Sequence, residues 1–341
     1  MGSYYDMSSN ITPSSTRGAF VAGSIAAGLA SSGAAVAAEQ PIPHRKLGTT
    51  GESVSIVGVG GFHLGKPDLT QADATRIVHT ALDAGVNFLD NCWDYNNGEG
   101  EVRLGNALAQ GGYRSKAFLM TKLDGRDKQS AKSQLDDSLR RLKTDRIDLV
   151  QIHEVIRESD PERVFAPGGA IETLVAAREA GKIRFIGFTG HKSPEIHLKM
   201  LQVADVHHFR FDTVQMPLNV MDAHYDSFAK RVIPVAQSKH MGILAMKTFG
   251  DHHILDTHAV DPIDMLHYGM NLPVSVVITG IDTMEILAQA LRSARTFKPL
   301  SDAQVAAILA KTQTLAQGGK YELYKTTHMF DGTYANPQWL G

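Results

Sequence analysis

Short apolar and β-branched runs alternate along the chain with segments whose apolar residues recur at helical spacing. This alternation is typical of βαβ units and of a parallel sheet. Eight runs are predicted as strands: 55–60, 87–92, 117–122, 147–153, 183–189, 213–217, 242–247 and 274–279. The segments predicted as helices are 71–84, 102–109, 132–142, 171–180, 194–203, 227–239, 262–271 and 284–294, with a further helix at 302–315.

Eight strand–helix units are the number that closes a (β/α)8 TIM barrel, an α/β fold. The length of 341 residues would also allow two domains. Since no low-complexity linker divides the units, we predict one barrel over residues 42–316. Residues 317–341 carry five aromatic side chains, and we predict that they form a tail packed on the barrel.

Residues 1–38 differ in composition from the rest of the chain. A polar start is followed, from Gly18 to Ala38, by an uncharged stretch that ends in small residues. This order predicts a signal peptide and therefore a periplasmic or exported protein. A plain leader on a cytoplasmic protein and a membrane anchor are the alternatives. The Gly, Ala and Ser content suits an anchor poorly, so no stable membrane association is expected.

The charge balance narrows the classes of partner. The chain has 34 basic and 36 acidic side chains, a net charge of −2. Nucleic-acid-binding proteins typically carry a basic surplus, so no nucleic-acid partner is expected. The single cysteine, Cys92, excludes an internal disulfide and a zinc site built from several thiolates. Composition leaves the oligomeric state open.

Titratable residues occur where the predicted strands end. In a (β/α)8 barrel the reacting groups lie at the C-terminal ends of the strands. Here these positions include Asp90, Lys122 and His153, with Tyr95 shortly after Asp90. A lysine at the end of a buried strand needs an anionic partner or a function. A lone histidine there would be interpreted as a core residue, but the four together favour a catalytic site.

Several motifs follow one another at the spacing of successive strands: Arg45–Gly51, Gly58–Gly60, Asn87–Tyr95, Glu101–Leu108, Thr121–Lys122, Asp145–Leu149, Gly181–Gly187 and Gln215. Together they resemble the aldo-keto reductase superfamily over residues 44–300, in a bacterial member with an export-signal-like leader. The resemblance implies an N-terminal hairpin before the barrel. It also implies an oxidoreductase that transfers hydride between NADPH, or NADH, and a small aldehyde or ketone, with alcohol oxidation as the reverse reaction.

The resemblance further implies a catalytic tetrad of Asp90, Tyr95, Lys122 and His153. Hydride addition to a carbonyl creates an alkoxide, so an acid must supply a proton as charge develops. Tyr95 would be that donor, and Lys122 beside it would favour the phenolate and ease proton exchange. Asp90 would pair with Lys122, and His153 would orient or polarise the carbonyl.

The cofactor positions depart from the family pattern. Thr189 and Gly190 replace a Ser-Asn pair that holds the nicotinamide carboxamide, so either His191 substitutes for it or the contact is lost. Ile286 stands where an arginine often binds the 2′-phosphate, which leaves the choice between NADPH and NADH open. The cofactor contacts implied by the resemblance are Gly61, Phe62, Asp90, Thr189, His191, Gln215, Met246, Lys247, Thr248, Gly280, Thr283 and Gln289.

Three aromatic side chains, Phe62, Trp93 and Trp339, are predicted to line a substrate pocket, which favours an apolar or aromatic carbonyl compound. A nicotinamide-binding redox sensor with slow turnover is one alternative function. A metal-dependent hydrolase is another, but the chain has no His-Glu-x-x-His motif, and His63 alone stands where such barrels have His-x-His. We therefore predict no metal. The segment Gly58–His63 also lacks the third glycine of a dinucleotide-binding Rossmann loop.

Overall fold

The computed structural model describes residues 40–341. The signal peptide predicted at 1–38 lies outside the described residues, and the location inferred from it stays a prediction. Within 40–341, no helix has the length and apolar character needed to cross a membrane.

An antiparallel hairpin of β1 (His44–Lys46) and β2 (Ser53–Ser55) precedes the barrel, as predicted. Gly48 lies in its turn with a φ of 53°, and a Cβ atom there would be 2.4 Å from the backbone nitrogen of Gly242. Only glycine permits this close approach at a positive φ. Leu47 beside it is fully buried among the side chains inside the barrel. The hairpin therefore closes the N-terminal end of the barrel.

The eight predicted strands form a closed parallel barrel in which the last strand pairs with the first, which confirms the (β/α)8 fold. They are β3 (Val57–Gly60), β4 (Phe88–Asp90), β5 (Phe118–Leu123), β6 (Ile147–Ile152), β7 (Ile183–Thr189), β8 (Thr213–Pro217), β9 (Gly242–Met246) and β10 (Val276–Gly280). The first barrel strand begins later than predicted because Ser55 belongs to the hairpin.

Helices surround the barrel in the predicted order. They are α1 (Gly61–Leu64), α2 (Gln71–Asp83), α3 (Glu99–Leu108), α4 (Lys128–Arg141), α5 (Asp160–Phe165), α6 (Ala170–Glu179), α7 (Pro194–Val206), α8 (Phe228–Arg231), α9 (Ile233–Ser238), α10 (Pro262–Asn271), α11 (Met284–Thr296), α12 (Asp302–Thr312), α13 (Leu323–Thr326) and α14 (Gly332–Ala335). The continuous helix predicted at 227–239 is wrong, because it is divided at Val232. Pro234 lacks the N–H that would bond the carbonyl of Lys230, so the helix cannot run through unbroken.

Apolar side chains fill the lower part of the barrel. Phe88, Phe118, Met120, Leu149 and Leu244 form a buried cluster inside it, and a larger cluster lies between the strands and the helices. Burying one such large side chain contributes about 1.5–3 kcal/mol. Because the N-terminal end is filled and closed, a polar site is left to the C-terminal ends of the strands.

The C-terminal tail, residues 317–341, contacts the loops that follow β5 and β6. The backbone N–H of Arg126 donates to the carbonyl of Leu340 at 2.8 Å. The buried carboxylate of Glu154 accepts from the N–H of Gly332 at 2.9 Å. These bonds hold the tail at the same end of the barrel as the predicted site.

Candidate active site

The four side chains predicted as catalytic meet at the ends of β4, β5 and β6. Asp90 is the last residue of β4, Lys122 lies near the end of β5, and His153 follows β6. Tyr95 opens a 3-10 turn after β4, and its ring lies edge-on to that of His153 at 5.9 Å. Neighbouring parallel strands end at one face of the barrel, which brings residues distant in sequence together.

Lys122 is the centre of this cluster. Its side chain is 1% exposed. Its ammonium group forms an ion pair with Asp90 and donates to the carbonyl of Asn91 at 2.8 Å and to the hydroxyl oxygen of Tyr95 at 3.1 Å. The other carboxylate oxygen of Asp90 accepts from Gln215 at 3.2 Å. Three acceptors match the three N–H groups of a lysine, so the buried charge is fully hydrogen-bonded.

The electrostatics of Tyr95 differ from the sequence-based expectation. Burial, followed by the negative charge of Asp90, raises the pKa of the Tyr95 hydroxyl well above its usual range. We expected Lys122 to favour the phenolate, but Asp90 offsets the charge of the lysine. Since Lys122 donates to the Tyr95 oxygen, the hydroxyl hydrogen is available to another acceptor. Tyr95 is therefore held as a neutral phenol.

His153 is surrounded by potential hydrogen-bond acceptors at one ring nitrogen. Its Nδ1 lies 2.8 Å from Asp124 Oδ1, 3.3 Å from Cys92 Sγ and 3.7 Å from Asp94 Oδ1. Burial alone would lower the pKa of His153, but the charges of Asp94 and Asp124 outweigh it and raise the pKa. Burial and the charge of Asp124 likewise raise the pKa of Asp94 to about 6.

The backbone that carries His153 is fixed by a buried arginine. Arg126 donates to the carbonyls of His153 and Glu154 at 2.8 and 2.7 Å and pairs with Asp160 at 3.0 Å. All of these groups are buried. His153 is thus held in place at its backbone carbonyl by Arg126 and at its ring by Asp124.

Asp94 and Asp124 contact the predicted site and were not predicted. Asp124 follows Lys122 by two residues, and alternation along an extended segment places such residues on the same side. That spacing was an available signal. Asp94 lies in the irregular turn before Tyr95, where no periodicity applies, so the sequence held no comparable signal for it.

Two of the three predicted substrate residues pair with each other. The rings of Trp93 and Trp339 meet edge-on at 5.7 Å, which brings the tail to the end of β4. Phe62 is 44% exposed, and its ring lies edge-on to Tyr95 at 5.5 Å. A Cβ atom at Gly61 would be 2.5 Å from the carbonyl of Asp90, so the small residue lets this segment approach the site.

The sequence of this chain matches a known protein family. A family model described as "Aldo/keto reductase family" matches residues 56–267, more than half of the chain. The chain belongs to the aldo/keto reductase family. It is accordingly related to oxidoreductases that act on carbonyl compounds.

Named relatives of this aldo/keto reductase agree with the family, and a solved structure agrees with the fold. The 6-dehydroglucose reductase of Novosphingobium aromaticivorans is 34% identical over 172 residues, 46% of this chain and 55% of that protein. Protein tas of Escherichia coli (strain K12) is 28% identical over 245 residues, 61% of this chain and 67% of that protein. The chain thus matches little more than half of the first relative. The holo form of the aldo-keto reductase AKR11C1 from Bacillus halodurans superposes with a TM-score of 0.63 at 22% identity, over 82% of this chain and 99% of that chain, and shows the fold.

Aldo/keto reductases generally use a nicotinamide cofactor, and the residues near Asp90 fit its carboxamide. The Oε1 atom of Gln215 is buried and accepts no hydrogen bond within residues 40–341. In the same part of the chain the hydroxyl of Thr248 is also buried without a partner. The hydroxyl oxygen of Thr189 lies 4.0 Å from the sulfur of Met246. Gln215 pairs with Thr189 on the neighbouring strand, so one amide oxygen and one hydroxyl can bond a carboxamide there. The Thr248 hydroxyl instead lies beside Gly269 of α10, and its contact with a cofactor stays a prediction.

Two other predicted cofactor residues of this aldo/keto reductase contact the tail. The Nε2 atom of His191 lies 2.9 Å from Asp331 Oδ1. The Lys247 ammonium lies 4.8 Å from the ring centre of Phe330 and 5.4 Å from that of Tyr324. Burial lowers the pKa of both His191 and Lys247. Their contacts with a cofactor stay predictions.

The predicted phosphate and adenine contacts lie at β10 and α11. A Cβ atom at Gly280 would be 2.2 Å from the ring of His63, so this imidazole covers the strand end. The hydroxyl of Thr283 caps α11 by accepting from the N–H of Ile286 at 3.2 Å. Gln289 is half-buried within the same helix. The start of α11 is a site at which a phosphate would be stabilised.

Proposed function

We propose that this aldo/keto reductase reduces a small aldehyde or ketone with hydride from NADPH or NADH, and that Tyr95 donates the proton. The observation that carries the proposal is the partly buried contact of 3.1 Å between the Lys122 ammonium and the Tyr95 hydroxyl, with Asp90 paired to Lys122. Because Lys122 donates to the Tyr95 oxygen, the hydroxyl hydrogen of Tyr95 can be donated to a further acceptor. The carbonyl oxygen of a substrate is such an acceptor.

A bound reduced nicotinamide supplies the hydride. As the carbonyl carbon accepts it, the π electrons of the carbonyl bond move to oxygen, and the Tyr95 proton passes to that oxygen to give the alcohol. The lost proton leaves a phenolate 3.1 Å from the Lys122 ammonium, which stabilises the new negative charge. Because the pKa of Tyr95 is raised before reaction, the phenol keeps its proton until the alkoxide develops.

His153 is proposed to orient the carbonyl. Its Nδ1 is occupied by contacts with Asp124 and Cys92. Its Nε2 makes no hydrogen bond within residues 40–341, so that atom is the one available to a substrate oxygen. Donors placed in advance at the position of developing charge contribute the largest share of stabilisation in many enzymes.

Gln215 and Thr189 are proposed to hold the nicotinamide end of the cofactor, and Lys247 and Thr248 its pyrophosphate. The support is the unsatisfied Gln215 oxygen beside Asp90 and the half-buried lysine that follows β9. Phe62, Trp93 and Trp339 are proposed to form the walls of the substrate pocket. The name of the relative from Novosphingobium aromaticivorans, 6-dehydroglucose reductase, is consistent with a carbonyl substrate.

Replacement of the proton donor tests the proposal. Tyr95→Phe keeps the ring that contacts Phe62 and removes the hydroxyl, so turnover of a carbonyl panel should fall by roughly 10²- to 10⁴-fold. Nicotinamide binding, followed by fluorescence, should be unchanged. The matched control is Tyr113→Phe, which removes a hydroxyl bonded to Asp83 near the opposite end of β5.

Two results would overturn the proposal. One is turnover by Tyr95→Phe at the wild-type rate. The other is wild-type enzyme that binds nicotinamide but transfers no hydride to any carbonyl compound in a single-turnover experiment. The second result would instead support the redox-sensor function.

A further inference from the structure

Four potential metal ligands converge beside the proposed active site. Cys92 Sγ, His153 Nδ1 and one carboxylate oxygen from each of Asp94 and Asp124 lie within 4.8 Å of one another. Three of the residues follow the ends of β4, β5 and β6, and the fourth stands in the turn after β4. No two of the four residues stand at a recognised metal-ligand spacing in the sequence, so no sequence motif marks the set.

We propose that Cys92, Asp94, Asp124 and His153 bind one divalent transition-metal ion of the zinc type. The proposal concerns these four side chains and does not rest on hydride transfer. It departs from the sequence-based expectation of no metal, which rested on the missing His-Glu-x-x-His motif and on His63 standing alone.

Unsatisfied buried oxygens are the observation that points to a cation. Asp124 is fully buried, yet its Oδ2 accepts no hydrogen bond within residues 40–341. In the same region Asp94 Oδ1 is buried without a hydrogen bond, and it lies 3.7 Å from His153 Nδ1, inside the cluster. Buried carboxylate oxygens without donors are costly, and paired or metal-bound carboxylates are the usual solution. A cation among the four would bond Asp94 Oδ1 directly, and it would bond Asp124 Oδ2 if that carboxylate binds through both of its oxygens.

The donor set selects the class of metal. One thiolate, one imidazole and two carboxylates are the ligand types found around zinc, whereas calcium and magnesium take oxygen ligands alone. Zinc bond lengths of 2.0–2.3 Å place the ligands of a tetrahedral site about 3.3–3.8 Å apart. The separations of His153 Nδ1 from Cys92 Sγ and Asp94 Oδ1, 3.3 and 3.7 Å, fall in this range. Asp124 Oδ1, at 2.8 Å from Nδ1, has to move outward by about half an ångström.

Metal binding at Nδ1 would change what His153 offers to the proposed active site. A neutral imidazole that binds a metal through Nδ1 carries its proton on Nε2. In the metal-free protein a His153 that donates from Nδ1 to Asp124 carries a proton on Nε2 as well only when the ring is a charged imidazolium. The ion would therefore keep Nε2 a hydrogen-bond donor, as the proposed function requires, on a ring without a positive charge of its own.

Cobalt substitution tests the site directly. The full-length protein is treated with a chelator, dialysed and titrated with Co²⁺, and then with Zn²⁺. We expect one Co²⁺ per chain, intense visible bands of a tetrahedral ion, a near-ultraviolet band from thiolate-to-cobalt charge transfer, and loss of all of them when Zn²⁺ is added. Since the thiol must lose its proton, binding should also release protons to the buffer.

Variants assign the ligands. Cys92→Ser should remove the charge-transfer band, and Asp94→Asn should weaken Co²⁺ binding at least tenfold while the band is kept. The control Asp137→Asn alters a carboxylate that accepts from Trp93 at 3.3 Å but lies outside the four, and it should bind Co²⁺ like the wild type. X-ray absorption of the zinc-loaded wild type should show one sulfur ligand, a result that does not depend on any variant folding.

The proposal is overturned if the wild type shows no thiolate-to-cobalt band and no sulfur ligand to zinc. It is also overturned if Asp94→Asn and Asp137→Asn bind Co²⁺ with equal affinity. Asp94 would then not be a ligand, and a proton on its carboxyl group would satisfy the cluster instead of a metal ion. Both outcomes are independent of hydride transfer, because neither measurement involves a nicotinamide or a carbonyl compound.

Discussion

Two parts of the barrel rim differ in what their polar side chains contact. In the first, the ends of β4, β5 and β6, which we name the catalytic sector, Lys122 bonds Asp90 and Tyr95 directly. In the second, the ends of β7, β9 and β10, which we name the cofactor sector, His191 bonds Asp331 of the tail and Lys247 packs under Phe330. The bonds of Lys122 are made with barrel residues alone, whereas His191 and Lys247 make these contacts with the tail.

The two sectors therefore differ in whether their polar groups are already positioned before a ligand binds. Groups that already bond one another in a buried network need no reorganisation when a substrate arrives. A ligand that uses His191 or Lys247 has to replace contacts made by the tail, so part of its binding free energy is spent on that exchange. We therefore expect substitutions in the catalytic sector to act on rate and stability together, and substitutions in the cofactor sector to act mainly on the tail and on affinity.

The largest effect is expected for Lys122→Met. Removing the ammonium leaves Asp90 buried at the bottom of the site without its charge partner, and breaking a buried ion pair in this way costs about 3–5 kcal/mol. The free energy of unfolding, measured by urea denaturation, should fall by that amount. Carbonyl reduction should be lost as well, because the Tyr95 phenolate would have no cation beside it.

A double variant separates charge from packing in this prediction. Lys122→Met combined with Asp90→Asn leaves no unpaired charge, so it should recover most of the lost stability but none of the turnover. A single Lys122→Met variant as stable as the wild type would contradict the buried, fully paired arrangement of the catalytic sector.

A smaller effect is expected for Asp331→Asn in the tail. Burial opposes ionisation of Asp331, but hydrogen bonds from His191, Lys192 and His328 outweigh it and lower the pKa of the carboxyl to about 2. The folded-state pKa is then below the unfolded value of about 4, which stabilises the folded protein by about 1–2 kcal/mol at neutral pH. Asp331→Asn should lose this amount.

The sign of the pH dependence follows from the lowered pKa of Asp331. Its contribution is complete above about pH 4 and is lost as the pH falls toward 2. The difference in the free energy of unfolding between wild type and Asp331→Asn should therefore be constant from pH 7 to pH 5 and shrink below pH 4. The exposed Asp256→Asn serves as control and should match the wild type throughout. A difference that grows on acidification would refute the role given to Asp331.

The strands were predictable because each is a continuous buried apolar run between helical segments. The residues Ile183–Thr189 and Thr213–Pro217 match their predicted bounds for this reason. The division of the helix at Val232 was missed because the apolar pattern continues through it while Pro234 breaks the backbone hydrogen bonding. Pattern therefore predicted where elements lie, and single-residue backbone chemistry decided where one of them is interrupted.

The candidate site was predictable where it depends on strand ends and not where it depends on the tail. Asp90, Lys122 and His153 each end or follow a recognisable strand, so the barrel topology alone brings them together. The partner of His191 is Asp331, which lies 140 residues further along the chain. No periodicity connects two such positions, and the packing of the tail had to be seen before the contact could be known.

The smallest effect concerns the choice between the two nicotinamide cofactors. Discrimination for NADPH needs a cation at the 2′-phosphate, since charge-assisted hydrogen bonds supply the selectivity. At the start of α11 the side chain of Ile286 is apolar, and the nearby Asp282 is paired with Lys66 at 2.9 Å. We therefore expect values of kcat/KM with NADPH and NADH that differ by less than about tenfold.

Ile286→Arg should shift the ratio of these values toward NADPH by about tenfold or more, because a guanidinium bonds a phosphate in two places. The control Ile286→Gln should leave the ratio unchanged. A wild-type preference for NADPH of a hundredfold would show that another cation of the cofactor sector reaches the phosphate. The cofactor sector would then resemble the catalytic sector in having its charged groups positioned before the ligand binds.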